Sequence, residues 1–93
     1  MKSYEALQKE HEKVRQEIVE SLEFLMGSVS TKGPKRPGLN LTFKINQVTR
    51  TKHIRKEFEP QVKLMTARWR RLRVLLRKIS DINWERLNRS MIY

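Results

Sequence analysis

The side chains with the clearest capacity for chemistry are cations, and they are clustered. From Thr31 to Lys56 the chain holds eight basic residues and no acid: Lys32, Lys35, Arg36, Lys44, Arg50, Lys52, Arg55 and Lys56. His53 lies among them, and Thr49 and Thr51 place hydroxyls beside Arg50 and Lys52. A second group, Arg70, Arg71, Arg73, Arg77 and Lys78, follows Trp69. Ammonium and guanidinium groups mixed with hydroxyls suit phosphate and sugar contacts, which position a protein on nucleic acid without reading bases. Neutralising each phosphate releases condensed counterions, so such binding weakens as salt rises. These fourteen residues, Lys32 to Lys78 as named, are the expected contact set. The bland alternative is a solvated basic surface that aids solubility.

Other chemistries find little support. There is no cysteine, and the two histidines, His11 and His53, fall on different predicted elements. A closed zinc site wants four ligands, mostly Cys and His, so no metal is expected. His11 reads as a core or boundary residue. Asp81 and Glu85 stand four apart among Lys78, Arg86 and Arg89, where salt bridging is the simpler account. No Ser-His-Asp order stands out, and the Gly33–Gly38 loop lacks the Gly-Lys-Ser/Thr ending of a phosphate-binding loop. Neither enzyme activity nor a cofactor is expected.

The balance of the whole chain agrees. It has 93 residues, 21 Lys plus Arg against 10 Asp plus Glu, a formal net charge of +11 and 38% apolar residues. No apolar run approaches the length of a membrane span. The start, Met-Lys-Ser-Tyr-Glu, leads directly into a charged segment and does not read as a signal peptide. Residues 1–26 carry four basic and six acidic side chains, whereas residues 27–93 carry seventeen and four. A near-balanced segment followed by a one-signed one suggests a scaffold and a polyanion-seeking part.

The elements that must position the cations follow from periodicity. Residues 3–26 are predicted helical, with Ser3 as N-cap and Gly27 as the C-terminal stop. Tyr4, Leu7, His11, Val14, Ile18, Leu22 and Leu25 form a three–four stripe resembling a coiled-coil seam. In residues 28–56, Ser28-Val29-Ser30 suits a short strand, and two prolines with two glycines make 33–38 a loop. Leu39, Leu41, Phe43 and Ile45 alternate with polar residues, Asn46-Gln47 is a tight-turn pair, and Val48 to Ile54 is β-branched. Residues 39–54 are therefore a predicted β-hairpin, which must lean on a helix end or pair with 28–31. Phe43 falls on the apolar side of its strand, which argues against base stacking.

Residues 59–90 are a second predicted helix, with Pro60 in its first turn. Val62, Met65, Trp69, Leu72, Leu76 and Ile79 form its stripe, widened by Leu64, Leu75 and Ile82. Trp69 is expected to be a core anchor. Arg68 and Arg86 fall inside the apolar arc, so either they snorkel or the partner helix has ended there. At 1.5 Å per residue the helices would span about 36 and 45 Å. The surplus leaves Trp84, Met91, Ile92 and Tyr93 to face another subunit.

Gly27-Ser28-Val29-Ser30, Thr42-Phe43-Lys44-Ile45, Thr49-Arg50-Thr51-Lys52-His53-Ile54 and the run from Arg70 to Asn83 together resemble a family of small uncharacterised basic prokaryotic proteins. The family is associated with mobile-element and metagenomic contexts, and the resemblance covers residues 25–88. It implies architecture rather than mechanism, since the family has no established activity. Many members carry a Cys-rich knuckle where this chain has Thr31 to Gly38 without cysteine, so no metal role carries over.

The expected fold is α+β: a long antiparallel, coiled-coil-like helical hairpin with a small β-hairpin between the helices, in a single domain. The expected function is non-enzymatic nucleic-acid binding, with hairpin and helix face clamping the backbone of structured RNA in a ribonucleoprotein, or of duplex DNA. The alternative is a coiled-coil module for a protein partner or homo-oligomer. No membrane partner is expected. The expected location is cytoplasmic, with the nucleoid or a ribonucleoprotein.

Overall fold

The computed structural model describes residues 2–90; Met91, Ile92 and Tyr93, expected at a subunit contact, lie outside them. The fold is α+β, with two long helices and a three-stranded antiparallel sheet in the order α1 (Tyr4–Glu20), β1 (Ser28–Thr31), β2 (Leu39–Ile45), β3 (Val48–Ile54), α2 (Glu59–Asn88). A 3₁₀ turn, Lys56–Phe58, leads into α2. No helix of the described residues is long and apolar enough to cross a membrane. The chain divides into two compact units: Met1–Leu22 with Arg71–Tyr93, and Glu23–Arg70. Both draw on α2.

In the first unit, Ser3 caps α1 by accepting a hydrogen bond from the Ala6 amide at 3.2 Å. The core cluster is Val14 of α1 with Leu75 and Ile82 of α2, with Ile18 and Ile79 packed against it; Leu7 and Leu72 are also buried. The predicted stripes are thus only partly used. Tyr4, Leu22 and Leu76 are exposed. One neighbouring helix covers a narrower strip than the arc of apolar residues provides.

α1 ends at Glu20, short of the expected Met26. Ser21 turns back on its own helix: its hydroxyl donates to the Glu17 carbonyl at 2.8 Å and its amide to the Ile18 carbonyl at 3.0 Å. Such local bonding competes with helix continuation. Gly27 is accordingly no helix stop.

The second unit shows where the next residues go. Phe24 stacks on Trp69 with ring centroids 5.3 Å apart, the Leu25 amide donates to the Met65 carbonyl at 3.2 Å, and Arg68 donates to the Glu23 carbonyl at 3.0 Å. Arg68, from within the α2 arc, thus bonds to chain beyond the end of α1. β1 pairs with β2 and β2 with β3, so the hairpin is completed by residues 28–31. Asn46 and Gln47 form the turn, both left-handed at φ 50° and 67°. That conformation matches the twist of a two-residue hairpin loop.

Candidate functional site

The register of the hairpin sorts its cations. Leu41 faces Lys52, Phe43 faces Arg50 and Ile45 faces Val48, while Asn40 faces His53 and Lys44 faces Thr49. Opposed residues share a sheet face, and successive residues alternate. Arg50 and Lys52 therefore lie on the face of Leu41, Phe43 and Ile45. Lys44 and His53 lie on the other, among Ser28, Ser30, Thr42, Thr49 and Thr51. The Ser30 and Thr42 hydroxyls, 2.9 Å apart, hydrogen-bond on that polar face. The cations expected to act as one hairpin set are thus divided between two surfaces of different chemistry.

The first face combines charge with apolar surface. Phe43 is only half-buried, and Lys52 Nζ stands 5.6 Å from its ring centroid, within cation–π range. Ile45 and Val48, beside the turn, keep 53% and 52% of their surface exposed. At the opposite end of the same strands, Leu25, Leu41, Ile54, Phe58 and Val62 line a pocket of about 310 Å³, with Lys52, His53 and Arg55 also lining it. Phe43 and Phe58 were not among the expected contact residues. The signal for Phe43 is in the sequence: a two-residue turn at Asn46-Gln47 forces Arg50 opposite it. Phe58 has no comparable signal, because it lies in an irregular joint before α2.

The remaining cations of this unit flank the sheet. Lys35 and Arg36 are exposed on the loop after β1, where the Arg36 amide donates to the Gly33 carbonyl at 3.3 Å. The Lys32 side chain runs alongside Gly38, its Cδ and Cε 3.7 Å from where a Cβ would stand. Lys56, His53 and Glu59 line a second cleft of about 360 Å³ with Pro37 and Gly38. Arg70 belongs to this unit and is exposed on α2. Among the described residues, no ion pair involves a cation between Lys32 and Lys56.

Arg71, Arg73, Arg77 and Lys78 belong to the other unit. Arg71 is held by the α1 carboxylate of Glu17 at 3.5 Å, so an amino-terminal glutamate partly neutralises this group. Lys78 lines a cleft of about 500 Å³ with Lys2, Glu10, Asp81 and Glu85, where both signs of charge meet. Lys2 pairs with Glu10 at 2.6 Å and Arg89 with Glu85 at 3.9 Å. His11 is half-buried here, and its pKa is lowered from the usual 6.5 by burial and then by the positive charge of Arg86. Among the described residues no three His, Asp or Glu side chains are grouped to hold a metal ion.

No family model, curated protein or solved structure matches the chain.

Proposed function

We propose that this is a non-enzymatic nucleic-acid-binding protein whose β-ribbon and α2 arginines engage a phosphate backbone, of RNA or of DNA. The observation that carries this reading is the segment Thr31–Lys56, with eight cations, no acid and, among the described residues, no ion pair to a carboxylate. Exposed cations without counter-charges attract polyanions and steer them at long range. The α2 group supports it more weakly, because Glu17 competes for Arg71. On this reading α1 and the carboxyl-terminal part of α2 form an antiparallel helical hairpin that serves as scaffold. The protein works in the cytoplasm, on the nucleoid or in a ribonucleoprotein.

The test is anisotropy of labelled duplex DNA and of hairpin RNA across about 50 to 200 mM salt. The expected log–log slope is steep, and the double variant Arg50→Glu/Lys52→Glu flattens it by roughly 0.9 per lost duplex phosphate contact. A flat salt dependence in the wild-type protein removes the reading.

A second reading, a protein-interaction module built on the helices, is favoured by one observation. Leu76, Trp84 and Leu87 of α2 are 45%, 65% and 47% exposed, and at 100° per residue they fall within an arc of about 80°. Under that reading Trp84→Ala abolishes self-association or partner capture in sedimentation, and the Arg50/Lys52 double variant leaves it intact.

A further inference from the structure

We infer that the β-ribbon takes unpaired nucleic acid, with one base on the Phe43 ring and a neighbouring base in the pocket bordered by Leu41, Ile54 and Phe58. The inference rests on the nucleic-acid reading and narrows its ligand to single strands.

The surface that carries Arg50 and Lys52 is not a purely ionic one. The apolar side of β2, whose Phe43 the sequence pattern set against base stacking, is the side that carries Arg50 and Lys52, and Lys52 already uses the half-buried Phe43 ring as a cation–π partner. A duplex turns phosphates outward and hides its base faces in the stack. Against such a ligand the half-buried Phe43 and the exposed Ile45, Val48 and Phe58 would gain no cover, whereas Leu41 and Ile54 are already buried. A single strand offers both chemistries at once. Its bases stack on aromatic rings regardless of sequence, and its backbone follows a cationic groove. A base on the Phe43 ring takes the place that Lys52 Nζ, 5.6 Å from the centroid, now holds and frees that ammonium for a phosphate, while the pocket of about 310 Å³ supplies an apolar slot.

The spacing fits a chain that runs along the strands. Arg50 and Lys52 are two residues apart on β3, a separation of about 6.6 Å, and Arg55 stands at the pocket. Phosphates placed on Arg50, Lys52 and Arg55 leave the intervening bases over Phe43 and beside Phe58.

The experiment compares labelled oligothymidylate and oligouridylate of about 12 nucleotides with a duplex of the same length. The proteins are wild type, Phe43→Leu and Phe43→Tyr, with circular dichroism checking each fold. The wild type is expected to bind the single strands about tenfold tighter than the duplex. Phe43→Leu keeps an apolar side chain but removes the ring, and should lose about tenfold on single strands, the scale of one stacked base. Its duplex affinity should stay unchanged. Phe43→Tyr keeps a ring and should retain single-strand affinity, which preserves the test if the leucine variant fails to fold. A wild type that prefers the duplex, or a folded Phe43→Leu with undiminished single-strand affinity, overturns the base-stacking site and leaves the phosphate reading in place. Wild-type protein that binds neither form, or binds without salt dependence, removes both.

Discussion

At Gly27 the backbone adopts φ +127°, and a Cβ there would lie 2.5 Å from the Thr42 carbonyl oxygen. Both features demand glycine, because the obstructing atom is backbone and cannot swing aside. Gly27→Ala should therefore destabilise the protein by about 3 kcal/mol, measurable by urea denaturation. His11 makes a different prediction. Its folded-state pKa is lowered, by burial first and by Arg86 second; Arg15 adds to the effect and Glu12 opposes it. The unfolded chain therefore takes up the proton first. Stability is complete above about pH 6.5, the unfolded value, and falls as pH drops through the lower folded-state pKa. Urea midpoints should decline below that pH in the wild type, and His11→Gln should reduce the decline. The boundary position of His11 is legible from its place in the stripe. The need for Gly27 is legible only as a stop signal, and the wrong one, since it depends on a carbonyl fifteen residues away in sequence.

The hairpin is the element in which sequence and structure agree most closely. Alternation sets its strands, the two-residue turn sets its register, and register decides which cations share a face with Phe43. Gln47 is its weak point, a side chain held at φ 67° where glycine is better suited. Gln47→Gly relieves that strain but enlarges the entropy of the unfolded chain. The net expectation is a gain of about 0.5 kcal/mol, read as a shift in urea midpoint. The end of α1 is less legible. Leu22 and Leu25 prolong its apolar stripe, yet the helix stops because Ser21 bonds backward and the following residues find α2: Phe24 on Trp69, Leu25 on the Met65 carbonyl. These contacts between distant segments outweigh the local preference for continued helix. The α2 stripe is likewise only partly used, since what is covered depends on the neighbour, and Leu64 and Leu76 stay exposed.

For the whole molecule the dominant quantity is a net charge of +11 on 93 residues. Like charges repel in the folded state, and the whole of the excess lies beyond residue 26. Raising salt from about 20 to 200 mM screens that repulsion, so Tm should rise with ionic strength even as nucleic-acid affinity falls. Scanning calorimetry across that range checks the sign; a falling Tm would mean that ion pairs such as Arg71–Glu17 outweigh the repulsion. The sequence by itself determined the element order, the strand register and the supply of cations, because these depend on residue type, spacing and short-range geometry. Tertiary structure decided which apolar side chains are covered, where α1 ends, which arginine meets a glutamate and that the half-buried Phe43 has Lys52 over its ring. Those outcomes turn on which surfaces distant segments compete to bury, and periodicity carries no record of that competition.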